Sequence, residues 1–139
     1  LAELGASALI EALSLISAGL ARPQPQDPEL ASYAPKIDRE DARLDWTSGA
    51  ETLARQVRAF DPSPGAWATL DGTVLKFFGA TSTAGQGAPG TVLSADPQLV
   101  IACGDGALAL REVQPAGRTR MAAEAWVRGR GISVGRRLA

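Results

Sequence analysis

Apolar residues at Leu9, Leu13, Ile16 and Leu20 recur at spacings of four, three and four, which predicts one face of a helix over residues 1–20. Leu1, Leu4 and Ile10 broaden this stripe, Glu3 and Glu11 interrupt it, and Pro23 and Pro25 end it. Such an apolar face needs a surface to pack against, on the domain that follows or on one that precedes. Residues 22–35 then hold four prolines among polar side chains, a stiff stretch that cannot build a core. Residues 22–46 are accordingly expected to be an interdomain linker, with a domain missing upstream; a helix appended to a self-contained protein gives the same pattern. Thr47 or Ser48 can cap a second helix over about 49–60, with Leu53, Val57 and Phe60 on its buried face and Arg55 and Arg58 turned to solvent. Asp61-Pro62-Ser63-Pro64-Gly65 stops it.

Beyond that turn the period changes. Residues 66–70 and 73–79 flank Asp71-Gly72, a signal for a type I′ hairpin. Residues 91–95 and 98–103 flank Asp96-Pro97, and Gly104-Asp105-Gly106 leads into a strand over 107–113. A last helix over about 122–130 carries Trp126 inward. Five or so short strands with helices at the ends predict a mainly β, α+β domain, a small barrel or a strongly bent antiparallel sheet over residues 47–139.

Composition sharpens the picture in two places. The net charge of −1 hides an asymmetry: residues 118–139 carry Arg118, Arg120, Arg128, Arg130, Arg136 and Arg137 against Glu124, a net +5, while the rest is −6. A localised basic surface attracts polyanions, although a solvated basic tail gives the same charge count. There is no histidine and one cysteine, Cys103, which removes His-based triads, Cys–His dyads, disulfides and Cys/His zinc sites. Cys103 ends an apolar run and is expected to be a buried thiol, compatible with a reducing cytoplasm. The apolar N-terminal stretch lacks a basic n-region, so neither a signal peptide nor a membrane span is expected.

Few motifs carry chemistry. Gly104-Asp105-Gly106 lacks a third glycine and precedes a strand, so it reads as a turn rather than a dinucleotide loop. Asp38, Glu40, Asp41 and Asp45 alternate with Lys36, Arg39 and Arg43, a solvated mixed-charge segment rather than a catalytic carboxylate pair. The arginines suit bidentate phosphate contact. Most of the aromatics, Trp46, Trp67, Trp126, Phe77, Phe78 and Tyr33, sit in apolar contexts that suit the core better than base stacking.

Several strings, in order, resemble the C-terminal half of the methionyl-tRNA formyltransferase family. Tyr33-Ala34-Pro35-Lys36-Ile37 and Asp45-Trp46 resemble its interdomain segment. Arg58 to Trp67 resembles its R-A-F-x-P-x-P-G-A-aromatic stretch. Ala88 to Val92, Gly104 to Leu108 and Gln114 to Met121 resemble its later strands and its Q-P-x-G-K-x-x-M segment. The resemblance covers roughly residues 30–139, and residues 1–21 look like the last helix of the catalytic domain.

That resemblance implies an OB-like antiparallel barrel that presents a basic surface to initiator methionyl-tRNA. It further implies a catalytic domain in cis that uses 10-formyltetrahydrofolate as co-substrate, with no cofactor held by the present residues. The catalytic Asn-His-Asp set of the family is absent here, so the chain by itself is expected to be inactive. Arg118, which stands where the family has lysine, and Arg120 are the first expected tRNA contacts, followed by Lys36, Arg39 and Arg43. Two other readings stay open: the C-terminal module of a formyltransferase acting on nucleotide sugars or of a formyltetrahydrofolate dehydrogenase, and a stand-alone OB-like interaction domain.

Overall fold

The computed structural model describes residues 1–129 and 131–139; Arg130, one of the six C-terminal arginines, lies outside the described residues. The chain divides into two compact units, Leu1–Pro35 and Lys36–Ala139. In the first, helix α1 spans Ala2–Ser17 and buries none of its side chains; Leu9, Leu13, Ile16 and Leu20 are all exposed. A 3₁₀ turn at Pro28–Leu30, capped by the Asp27 side chain, interrupts the extended proline-rich stretch.

The second unit begins earlier than the pattern predicts. Lys36 to Trp46 was expected as linker, yet Ala42, Leu44 and Trp46 are buried, and Leu44 and Trp46 belong to the core. The reason lies in their alternation: Ala42, Leu44 and Trp46 face inward while Arg43 and Asp45 stay exposed. This short extended segment bridges Arg43 to Trp67 in parallel, and the Leu44 amide donates to the Trp67 carbonyl at 2.8 Å. Helix α2, Ala50–Ala59, buries Ala50, Leu53, Ala54 and Val57, the i, i+3, i+4, i+7 set of an amphipathic helix. Its N-cap is Gly49 rather than Thr47 or Ser48. The Thr47 hydroxyl is engaged elsewhere, donating to Asp45.

Six strands follow: β1 Ala66–Leu70, β2 Thr73–Thr83, β3 Val92–Ser94, β4 Leu99–Ala102, β5 Ala107–Pro115 and β6 Met121–Ala122. They form one antiparallel sheet ordered β1-β2-β5-β4-β3, with β6 added beside β5. Asp71 and Gly72 both adopt positive φ, 51° and 76°, as the two-residue turn joining β1 and β2 requires. Strand β2 runs beyond Gly79, where φ is +60°. The in–out alternation slips by one residue there on both paired strands. Phe77 and Ala80 both face the core, as do Val113 and Leu110 opposite them, which bends the sheet. Helix α3, Ala123–Arg128, places Trp126 against the core.

The curl is closed by residues 136–139. The Val92 amide donates to the Arg136 carbonyl, the Leu138 amide to Gly90, and Thr69 and Ala139 exchange backbone hydrogen bonds at 2.7 and 2.9 Å. This strap bridges the free edges of β1 and β3, giving the α+β, OB-like half-barrel. Its interior is Leu, Ile, Val and Ala around Phe77, whose ring meets Trp46 edge-on at 5.8 Å. Each fully buried side chain of that size contributes about 1.5–3 kcal/mol.

Candidate nucleic-acid interface

The sheet has a second, outward face, and the expected basic residues divide around it. Trp67 on β1 stands opposite Lys76 on β2, which stands opposite Gln114 on β5, a single row across three strands. Their chain neighbours Ala66, Ala68, Leu75, Phe77 and Val113 all belong to the core, so the row lies on the other side. Phe78 and Glu112, a register pair two positions along, share that outward face.

Arg39 and Arg43 reach this row from the segment that precedes α2. Their guanidinium carbons lie 5.1 and 5.6 Å from the centre of the Trp67 ring, and the Trp67 indole N–H donates to the Arg39 carbonyl at 2.8 Å. Trp67 is therefore buried, as its apolar context predicts, but beneath two arginines on the outward face and outside the main core cluster. At the other end of the row Arg118 closes the turn after β5. Its amide donates to the Pro115 carbonyl, and its own carbonyl accepts from Gln114 Nε2 at 3.0 Å. Lys36 is exposed three residues before Arg39.

Arg120 occupies a different kind of position. Its Nη1 pairs with Asp61 at 2.8 Å, Nη2 with Asp61 at 3.2 Å, and Nε with Glu112 at 2.9 Å; Nη2 also contacts Glu112. Four of its five N–H groups are thereby used. The guanidinium lies 4.1 Å above the Phe78 ring, and the Asp61 and then Glu112 hydrogen bonds push its pKa further up. Arg39, Arg43, Lys76 and Arg118 form no ion pair among the described residues. The other C-terminal arginines are spread: Arg128 pairs with Glu124, Arg136 with Asp71, and Arg137 donates to the Pro89 carbonyl.

Lys76 is the residue that sequence reasoning missed. Its ammonium donates to the Pro64 carbonyl at 2.6 Å. The signal was present in the alternation of Leu75, Lys76 and Phe77, which puts the lysine opposite the core. A separate groove of about 700 Å³ runs between residues 43–47 and 137–139, with Arg43 and Arg137 on its walls. Asp45 on its rim is held below the usual carboxylate range by hydrogen bonds from the Thr47 side chain and backbone. Among the described residues no group of His, Cys, Asp and Glu is arranged to hold a metal ion, and no helix is long and apolar enough to cross a membrane.

Comparison with known proteins gives this face a context. Residues 36–131 match the family model described as formyl transferase, C-terminal domain. The methionyl-tRNA formyltransferase of Thiobacillus denitrificans is 52% identical over 143 residues, covering 99% of this chain and 45% of that protein. That of Acidiphilium cryptum is 46% identical over 138 residues, covering 99% and 44%. The chain thus spans less than half the length of these relatives. Among solved structures, a variant of HypX from Aquifex aeolicus superposes with a TM-score of 0.65 at 27% identity, over 92% of this chain and 23% of that one. HypX in complex with tetrahydrofolic acid gives 0.63 at 28% identity, over 87% and 22%.

Proposed function

Because the chain belongs to the formyl transferase C-terminal domain family, we propose that it is the tRNA-holding module of a methionyl-tRNA formyltransferase. In this reading a catalytic domain in cis transfers the formyl group of 10-formyltetrahydrofolate to the α-amine of initiator methionyl-tRNA, in the cytoplasm, at the start of translation. The module binds and orients the RNA and forms no bond itself. Its effect is one of proximity: RNA held on the barrel presents its aminoacyl end to the catalytic domain at a high effective concentration.

The observation that carries the reading is the outward face of β1, β2 and β5: Arg39 and Arg43 lie over Trp67, Lys76 stands beside it, Arg118 follows in the turn after β5, and none of the four forms an ion pair among the described residues. Cations with no ion-pair partner on one face attract a polyphosphate backbone, whose binding releases its counterions. Such a face grips backbone rather than reading bases, because its aromatic side chains, Trp67 and Phe78, are covered by arginines.

A filter-binding titration of the chain with initiator methionyl-tRNA across salt tests this. Weak binding that weakens steeply as salt rises is expected, with a log–log slope of about −3 for four phosphate contacts. Absence of binding at low salt refutes the reading. The fold shared with HypX, at 28% identity, lends slight support to a second reading in which this barrel serves a formyltransferase with another acceptor.

A further inference from the structure

Beside Lys76 the outward face is not flat. A hollow of about 120 Å³ opens between Val74 and Lys76 on β2, Gln114 on β5 and the Pro115–Gly117 turn. That is room for several waters, enough for one phosphate group. We infer that this hollow is a phosphodiester subsite in which Lys76 and Gln114 hold one backbone phosphate of the bound RNA; the inference rests on the tRNA-holding role proposed above.

The chemistry of the lining suits that occupant. Lys76 supplies the charge. Among the described residues one of its ammonium N–H groups has an acceptor, the Pro64 carbonyl, which leaves two for a ligand. Gln114 supplies a neutral amide whose Nε2 is anchored on the Arg118 carbonyl, which fixes its direction. Lys76 and Gln114 are register partners on adjacent strands, about 5 Å apart along the sheet. Ala116 and Gly117 form an exposed rim with no bulky side chain, and a methyl group added at Gly117 meets nothing within 4 Å, so the mouth is open.

No carboxylate lines the hollow. Asp61 and Glu112, which lie around Phe78 on the outward face, are both engaged by Arg120. Arg39 and Arg43 on one side of the row, and Arg118 on the other, add attraction along a path leading through Lys76. A strand of RNA laid across this row meets cations before, within and after the hollow.

The test is the same salt titration with initiator methionyl-tRNA, run on the intact chain and on Lys76→Met, Lys76→Arg and Gln114→Glu. Lys76→Met is expected to flatten the log–log slope by about 0.7–0.9, one phosphate contact, and to weaken binding roughly threefold to tenfold at low salt. Lys76→Arg restores the slope. Gln114→Glu, which places a carboxylate in the hollow, weakens binding at least as much. Far-ultraviolet circular dichroism and urea midpoints equal to those of the unaltered chain confirm that each variant is folded; Gln114→Glu carries the test if Lys76→Met does not fold. Wild-type binding with slopes unchanged in these variants overturns the subsite and leaves the tRNA role standing. Loss of wild-type binding itself overturns both.

Discussion

Replacing Arg120 by methionine separates holding the fold from holding RNA. Arg120 makes a two-oxygen pair with Asp61, a second pair with Glu112, and a cation–π contact at 4.1 Å with Phe78. The three charged side chains are each between 30% and 41% exposed, so solvent weakens the pairs without erasing them. Pairs of this kind contribute about 0.2–1 kcal/mol each, the bidentate one near the top of that range. The cation over the ring adds about 0.5–1 kcal/mol. Methionine keeps much of the apolar contact with Phe78 but leaves Asp61 and Glu112 facing each other unneutralised. The expected loss is about 2 kcal/mol, or a fall of roughly 8–12 °C in Tm for a domain of this size. Urea unfolding followed by tryptophan fluorescence measures it, with the m-value unchanged. In about 1 M salt the loss shrinks to roughly half, because the ion pairs are screened and the ring contact is not. The tRNA salt slope stays where it is. An unchanged urea midpoint together with a slope flatter by one contact refutes this reasoning and makes Arg120 an RNA ligand.

Two further measurements test the packing. Gly104→Ala sets a methyl group 1.8 Å from the Thr47 carbonyl oxygen, a backbone atom held in the α2 entry, so a loss of roughly 3 kcal/mol or more is expected in the same urea assay; near-wild-type stability contradicts the close approach. Cys103 is buried and desolvation raises its pKa to about 11, so at pH 8 it is almost wholly thiol. A thiol-reactive dye is expected to label it only as fast as the domain unfolds, and rapid labelling of the native chain at pH 8 refutes its burial.

The strands and helices were largely legible from periodicity and turn chemistry, because Asp71-Gly72 and the Leu53/Val57 spacing are strong local signals. What escaped depends on partners remote in sequence. Residues 36–46 read as linker because their charges outnumber Ala42, Leu44 and Trp46, and only the bridge to Trp67 shows them to be part of the barrel. The extension of β2 past Gly79 was hidden by the glycine, whose positive φ shifts the alternation rather than ending the strand. On the outward face, Arg118 and the pair Arg39 and Arg43 were marked by charge and by resemblance. Lys76 was passed over because it lies between core residues. Arg120 looked free because Asp61, fifty-nine positions away, is invisible to any local window.

The strap at residues 136–139 sets the kinetic character of the domain. It joins positions seventy residues apart, Thr69 and Ala139, and no helix or hairpin brings these ends together locally. Closing a loop of that length costs about 4 kcal/mol of chain entropy before any strap hydrogen bond forms. The sheet is therefore expected to assemble first and seal last, and the unsealed form exposes the β3 edge and the part of the β1 edge beyond its bridge to Arg43, both able to pair with other chains. In native-state hydrogen exchange, the amides of Thr69, Val92, Leu138 and Ala139 should open together, ahead of those buried in β2 and β5. Resistance of this barrel to aggregation is thus governed by how long its seam stays shut.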